Sequence, residues 1–385
     1  MAAVPRVAMP IGSADARMPL LDAVKGVACV LIVGHHLARY GPMADSASAL
    51  APSFFGWLAQ HGRLAVQIFL VLAGFLAASS LAPDGVLRVD RPMARVARRY
   101  GRLVMPYLVA LSCSVVVAAL VRPWLNDEAV PDAPVIAQLI AHALLLQDLL
   151  GYDALSTGVW YVAIDFQLFV LALAALGWVR WLERRWKVNA ARARWLAVAL
   201  VLGLVAASLA VFNRDPALDD TALYFFGAYG LGMLVFWIGR ATRDSTWRLA
   251  ALTLALLGAG ALAIDWRSRI AVALVAALAI AVAQRWQWLR PTGCPALWQP
   301  LVQLGEMSYS LFLIHFPVIL LVNTVVQRWW PDQAWPALWG MGFTVALSLA
   351  AGLLLYRQVE MRAASWKAVL TLFAGLLACG ALSAA

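Results

Sequence analysis

The chain has 385 residues, of which 63% are hydrophobic and only 13% charged, where a soluble domain carries roughly a quarter charged residues. Its mean hydropathy is +0.79, and its apolar residues fall in blocks of about 16 to 22, which excludes a soluble, disordered or fibrous protein. The net charge of +10 lies in the short segments between blocks, so there is no soluble basic domain to bind nucleic acid. The expected fold is all-α, a polytopic membrane bundle of about ten or eleven helices.

Residues 1–19 read as a short tail. Residues 1–17 lack an apolar leader core, and the first span, 20–40, is too long and too polar at its start to be cleaved. That span, LLDAVKGVACVLIVGHHLARY, places Asp22, Lys25, His35 and His36 where lipid favours apolar side chains. Ionisable groups there cost a few kcal/mol each unless paired or hydrated, so they point to function. At about 100° per residue, Lys25 lies about 300° and His36 about 320° round from Asp22, whereas His35 falls near about 220°. Asp22, Lys25 and His36 therefore share a face. The plainer alternative is an i,i+3 pair of Asp22 and Lys25 at the lip, with both histidines at the far interface. Adjacent histidines diverge too far to chelate a metal, and no i,i+4 ligand accompanies them.

The second span is read at 63–81 and the third at 103–121, the latter entered through RPMARVARRYGRLVMPY. Its Arg91, Arg95, Arg98, Arg99 and Arg102 fit two readings. Basic clusters at span ends fix topology and bind anionic lipid; alternatively Arg99 and Arg102, one turn apart, clamp a phosphorylated ligand. Val135 to Leu150 is short and carries His142, Gln147 and Asp148, so an interfacial or partly inserted helix is expected there. The fourth span, 159–178, holds Asp165 and Gln167; Asp165 could pair with His36, bind a polar substrate or join another helix.

Further spans are expected at 195–212, 222–238, 248–264 and 269–286. The ninth, 306–326, contains LGEMSYSLFLIHFPV with Glu306, Ser308, Tyr309 and His315, of which Ser308 and Tyr309 also read as polar glue between helices. The tenth, 337–356, leads to Glu360, expected to pair with Arg357 or Arg362. The last is 367–384. Cys29, Cys113 and Cys379 lie in apolar blocks and Cys294 stands alone in a loop, so neither disulfide nor metal spacing is present.

Positive loops are retained in the cytoplasm. One set of connections holds Arg6 and Arg17, the Arg88 to Arg102 cluster, the Arg180 to Arg194 cluster, Arg240, Arg243, Arg248, Arg285, Arg290, Arg357, Arg362 and Lys367. The other holds only Arg39, Arg63, Arg122, Arg214, Arg267, Arg269 and Arg328, together with Asp127, Glu128, Asp132, Asp215, Asp219 and Asp220. The N-terminus is therefore expected in the cytoplasm, and an eleventh span puts the C-terminus outside. Trp178, Trp181, Trp195, Trp329 and Trp330 sit at span ends, as interfacial rings do.

In this order the segments resemble the acyltransferase 3 family of bacterial integral-membrane acyltransferases, over roughly residues 17–362. Lys25 and His36 fit the family's basic residue and histidine separated by ten positions. AVQIFLVLAGFL resembles its second-span segment, with Ala73 where serine is usual. Arg99, Arg102 and Pro106 match its arginine pair and following proline, and WYVAIDFQLF matches a segment that usually carries glutamate where Asp165 stands. SYSLFLIHFPV is similar to its ninth-span signature, with Phe312 where tyrosine is common, and LYRQVE to its acid-ended tenth span. The family usually has ten spans, so residues 363–385 are expected to form an additional helix beyond a membrane domain of 20–362.

The resemblance implies a multi-pass protein of the bacterial inner membrane. It would move an acyl group, usually acetyl, from cytoplasmic acyl-coenzyme A to a hydroxyl of a cell-surface glycan or lipid-linked saccharide. His36 would take the hydroxyl proton or carry the acyl group. Lys25, with Asp22, would hold the donor or the developing oxyanion. Arg95, Arg98, Arg99 and Arg102 would take the coenzyme phosphates, and Asp165, Tyr309 and His315 are candidate substrate-binding residues. No metal or nucleic acid is implied. The competing classes are a transporter for protons or a small anion, built on the same buried ionisable groups, and a structural scaffold. The arginine pair and the absence of a repeated hydropathy pattern argue against the first; Lys25 and His36 argue against the second.

Overall fold

Proline fixes where several helices begin, because its missing N–H is no loss in a first turn. It opens α1 (Pro19–Leu37), α2 (Pro42–Ser48), α3 (Pro52–His61) and α5 (Pro92–Val121). The computed structural model describes residues 18–290 and 295–384. Arg6, Arg17 and Cys294, most of the expected 1–19 tail, and Ala385 lie outside the described residues. A 3-10 turn, Gly62–Ala65, joins α3 to α4 (Val66–Leu81). Then follow α6 (Ile136–Ala143), α7 (Val159–Trp186), α8 (Ala190–Ala210), α9 (Ala222–Ile238), α10 (Asp244–Ile264) and α11 (Ser268–Arg285). The chain closes with α12 (Gln299–Glu306), α13 (Ser308–Trp329), α14 (Ala334–Leu355), a π turn at Tyr356–Glu360, and α15 (Trp366–Ala384).

Among the described residues, 10 helical segments are long and apolar enough to cross a membrane, α3 and α4 counting as one. The protein is thus an all-α polytopic membrane protein. α9 is shorter, and every residue from Tyr224 to Phe236 is buried, so it is enclosed by protein on all sides. Its tightest partner is α4. A Cβ on Gly74 would collide with the Tyr229 carbonyl, and one on Gly232 with the Val71 carbonyl; small residues let two helix backbones touch where lipid offers no hydrophobic drive to associate. Trp178, Trp181, Trp195 and Trp329 are each more than half exposed, as side chains at the lipid interface should be.

Three features were not visible in the apolar runs. Residues 41–62 fold into α2 and α3, the segment expected to dip into the interface holds only the eight-residue α6, and the ninth span is interrupted at Met307, between α12 and α13.

Candidate active site

α1 and α13 lie parallel and in register. Cys29 Sγ is 3.6 Å from the Ser308 carbonyl, His36 meets His315, and the Met43 N–H donates to Asn323 Oδ1 at 2.9 Å. The sequence separations are 279, 279 and 280 residues. Cys29 to His36 and Ser308 to His315 are each two helical turns, so a single pair of faces makes both contacts.

His36 Nδ1 is 2.6 Å from His315 Nε2. The two rings are nearly parallel, at 5°, with centroids 4.9 Å apart; they meet edge to edge, so the contact lies in the ring planes, along the lone-pair direction. His315 Nδ1 faces the Leu311 carbonyl at 3.3 Å, and a carbonyl can only accept. The neutral His315 therefore carries its proton on Nδ1 and offers a lone pair at Nε2. His36 must donate its own Nδ1–H into that lone pair, which leaves His36 Nε2 unprotonated and available as a base or nucleophile. Both rings are buried, His315 completely. Tyr40 lies 5.5 Å from His36, centre to centre. The neighbouring His35 turns away and donates to the Leu58 carbonyl at 3.1 Å.

Lys25 bonds Asp22 at 2.9 Å. The helical face that aligns both with His36 is real, but the rise matters too: eleven residues separate Lys25 from His36, about 16 Å of helix. The two side chains therefore do not meet. Near the Lys25 end, Ser310 donates to Glu360 at 2.6 Å, and the charges of Arg102 and Lys25 act on that carboxylate. Glu360 thus turns to α13, not to Arg357 or Arg362.

Asp165 pairs with Arg99 at 2.5 Å, not with His36. Arg99 also sits 5.6 Å over the Phe169 ring, and Tyr161 and Tyr229 lie within its electrostatic reach. Arg98 and Arg102 are exposed and Arg95 is half-buried, so the arginine cluster divides: Arg99 faces the bundle and the others face water. Tyr309 donates to the Leu103 carbonyl at 2.8 Å, one residue from the carbonyl that Pro106 leaves without its helical amide. Aromatic rings connect the ion pair to the imidazoles, since Tyr161 lies 5.5 Å from Phe312 and Phe312 6.1 Å from His315. Tyr161 went unnoticed in the sequence, although it stands one turn before Asp165. Among the described residues no group of three His, Cys, Asp or Glu could hold a metal ion.

A bundle of membrane-crossing helices, with a tautomer-fixed histidine buried inside it and a cluster of arginines at the start of α5, defines an integral-membrane protein with a base-like imidazole in its interior. The chain belongs to the acyltransferase 3 family, whose acyltransferase-domain model matches residues 19–357. It is 26% identical to the acyltransferase MdmB of Streptomyces mycarofaciens over 379 residues, 89% of this chain and 91% of that protein. It is 25% identical over 381 residues to YrhL of Bacillus subtilis (strain 168), whose name assigns it provisionally to peptidoglycan O-acetylation. The match covers 89% of this chain and 54% of YrhL, so the chain spans about half that relative's length. No solved structure matches it. Family membership makes acyl transfer the general reaction and sets the transporter and scaffold readings aside.

Proposed function

We propose that the protein is an O-acyltransferase of the bacterial inner membrane, moving acetyl from cytoplasmic acetyl-coenzyme A to a hydroxyl of a cell-surface or lipid-linked saccharide. The observation that carries this reading is the His315-fixed tautomer of His36, which presents a bare Nε2 inside the bundle. The name of MdmB supports acyl transfer, and that of YrhL, which mentions peptidoglycan O-acetylation, supports a cell-surface saccharide as acceptor.

The arginine-rich face is the cytoplasmic one in this reading. Arg95, Arg98 and Arg102 take the coenzyme phosphates there, with Lys25 beside them. The pantetheine arm has the backbone length of about four extended residues, roughly 14 Å, comparable to the helical rise from Lys25 to His36. A donor held by its phosphates at the inner mouth thus brings its thioester to His36. The acceptor hydroxyl attacks the thioester carbonyl as His36 Nε2 takes its proton; the C–S bond breaks, and the thiolate recovers the proton from His36. The same lone pair could instead carry the acyl group in a relay. Lys25 is too far from the thioester to serve the oxyanion, so its role is with the donor.

The test is transfer of radiolabelled acetyl from acetyl-coenzyme A to surface glycan in membranes containing wild-type or His36→Ala protein at equal abundance. Label in glycan only with the wild type supports the proposal. Equal labelling by both sinks it.

A further inference from the structure

The face opposite the arginine-rich one carries few cations, and most have partners. Arg122 donates to the Pro131 and Ser383 carbonyls at 3.0 and 3.3 Å. Arg328 lies 4.9 Å over Trp124. Arg214 and Arg267 share Asp265, at 3.8 and 2.7 Å. That leaves Arg39, Arg63 and Arg269, for which no ion pair exists among the described residues.

These three come from different elements: Arg39 and Arg63 stand beside His35, and Arg269 lies within the field of Arg63. The turn carrying Arg63 is pressed onto α1, since a Cβ on Gly62 would lie 2.7 Å from His35 Cβ and 2.8 Å from the Leu31 carbonyl. Arg39 follows His35 by one helical turn and so stands on the same side. Arg269, two residues into α11, lies 4.6 Å over the Tyr224 ring. The fields of Arg39 and Arg63 act on His35, and that of Arg63 on Arg269. Arg39 and Arg63 are exposed. The carboxylate closest to hand, Asp265, is already shared.

Three like charges with only the already shared Asp265 within reach of one of them repel one another, and membrane insertion selects against cations on a translocated face. Their gathering around His35, at the end of α1 that also carries the reactive His36, needs an occupant. We infer that the acyl acceptor is an anion, bearing a phosphate or carboxylate near its reacting hydroxyl, and that Arg63, Arg269 and Arg39 hold that group at the mouth of the site. The inference rests on the O-acyltransferase reading and specifies its acceptor. Guanidinium groups suit either oxyanion through paired N–H donors.

The experiment measures equilibrium binding of radiolabelled glucose 1-phosphate, glucuronate and methyl glucoside to the whole protein in uncharged nanodiscs. Acetyl transfer to each probe is followed separately. At low salt at least one anionic probe should bind about tenfold tighter than methyl glucoside, the preference shrinking as salt screens it. Preference for glucose 1-phosphate points to a phosphorylated acceptor, preference for glucuronate to an acidic sugar. Arg63→Gln with Arg269→Gln should abolish the preference and leave the KM for acetyl-coenzyme A alone, and Arg63→Lys with Arg269→Lys should restore much of it. Equal binding of all three probes, binding of none, or an unchanged preference in the glutamine variant overturns the inference. Anion binding without acetyl transfer to any probe would count against the O-acyltransferase reading and leave the anion site standing.

Discussion

The reactive lone pair of His36 depends on a residue 279 positions away. Replacing His315 with Ala leaves the His36 tautomer free, so the expected loss is in kcat, about 100-fold, with a smaller change in the donor KM. His36→Ala should abolish transfer, and His35→Ala should do less, since His35 bonds the Leu58 carbonyl of α3. Single-turnover acetyl transfer by the purified variants checks all three; an unaffected His315→Ala would remove it from the mechanism. The Arg99–Asp165 pair gives a second prediction. Arg99→Met strands a buried carboxylate and should cost about 3 kcal/mol, part of which Asp165→Leu in the same protein recovers. Thermal unfolding in detergent would show it, and additive losses would contradict the pairing. At this scale the sequence was informative about which residues matter and silent about partners. Helical phase singles out His36, but phase ignores rise, which is why Lys25 aligns with it and yet lies more than half the length of α1 away. Asp165 looked equally suited to His36 and to another helix, and only the packing of α5 against α7 decides for Arg99.

Elements were legible in proportion to their apolar length. A long lipid-crossing run announces itself, whereas α2, α3 and α6 are short amphipathic pieces whose helicity depends on the bundle beneath them. The α6 region also carries a pH dependence. His142 donates from Nδ1 to the Gln138 carbonyl at 2.8 Å and accepts the Leu155 N–H on Nε2 at 3.2 Å. Only the neutral ring can do both, and burial pushes its pKa down to about 4. Its contribution is complete above the ordinary histidine value near 6.5 and is lost as pH falls from there toward 4. Asp148 acts in the opposite sense. Burial, then the charge of Asp220, raises it to about 6, so its ionisation destabilises as pH rises from 3.8 to 6. Because the windows overlap, the wild type should show a muted response, and Asp148→Asn should lose stability more steeply on acidification. Hydrogen exchange at the Leu155 amide between pH 7 and about 4 reads this directly; identical pH profiles for the two proteins would refute it.

For the molecule as a whole, the topology follows from which helix ends share a face. Arg122, at the end of α5, donates to the Ser383 carbonyl at the end of α15, and Arg328, at the end of α13, lies over Trp124 just beyond α5. α5, α13 and α15 therefore run in the same direction and finish at one face. The end of α8 and the start of α11 meet one another where Arg214 and Arg267 share Asp265, and the alternation of successive crossings assigns them to the same face. It is the face poor in cations, and translocation favours such a face outside. A reporter fused after Ala384 should accordingly be active if it works only outside the cytoplasm and silent if it works only within. The same pair inserted between α7 and α8, after Lys187, should give the reverse. A cytoplasmic signal from both positions would require α15 to turn back without crossing, and the Arg122 to Ser383 contact could not then form. The site would survive that result, since His36 and His315 belong to α1 and α13, but the face assigned to the acceptor would have to be established again from Arg39, Arg63 and Arg269.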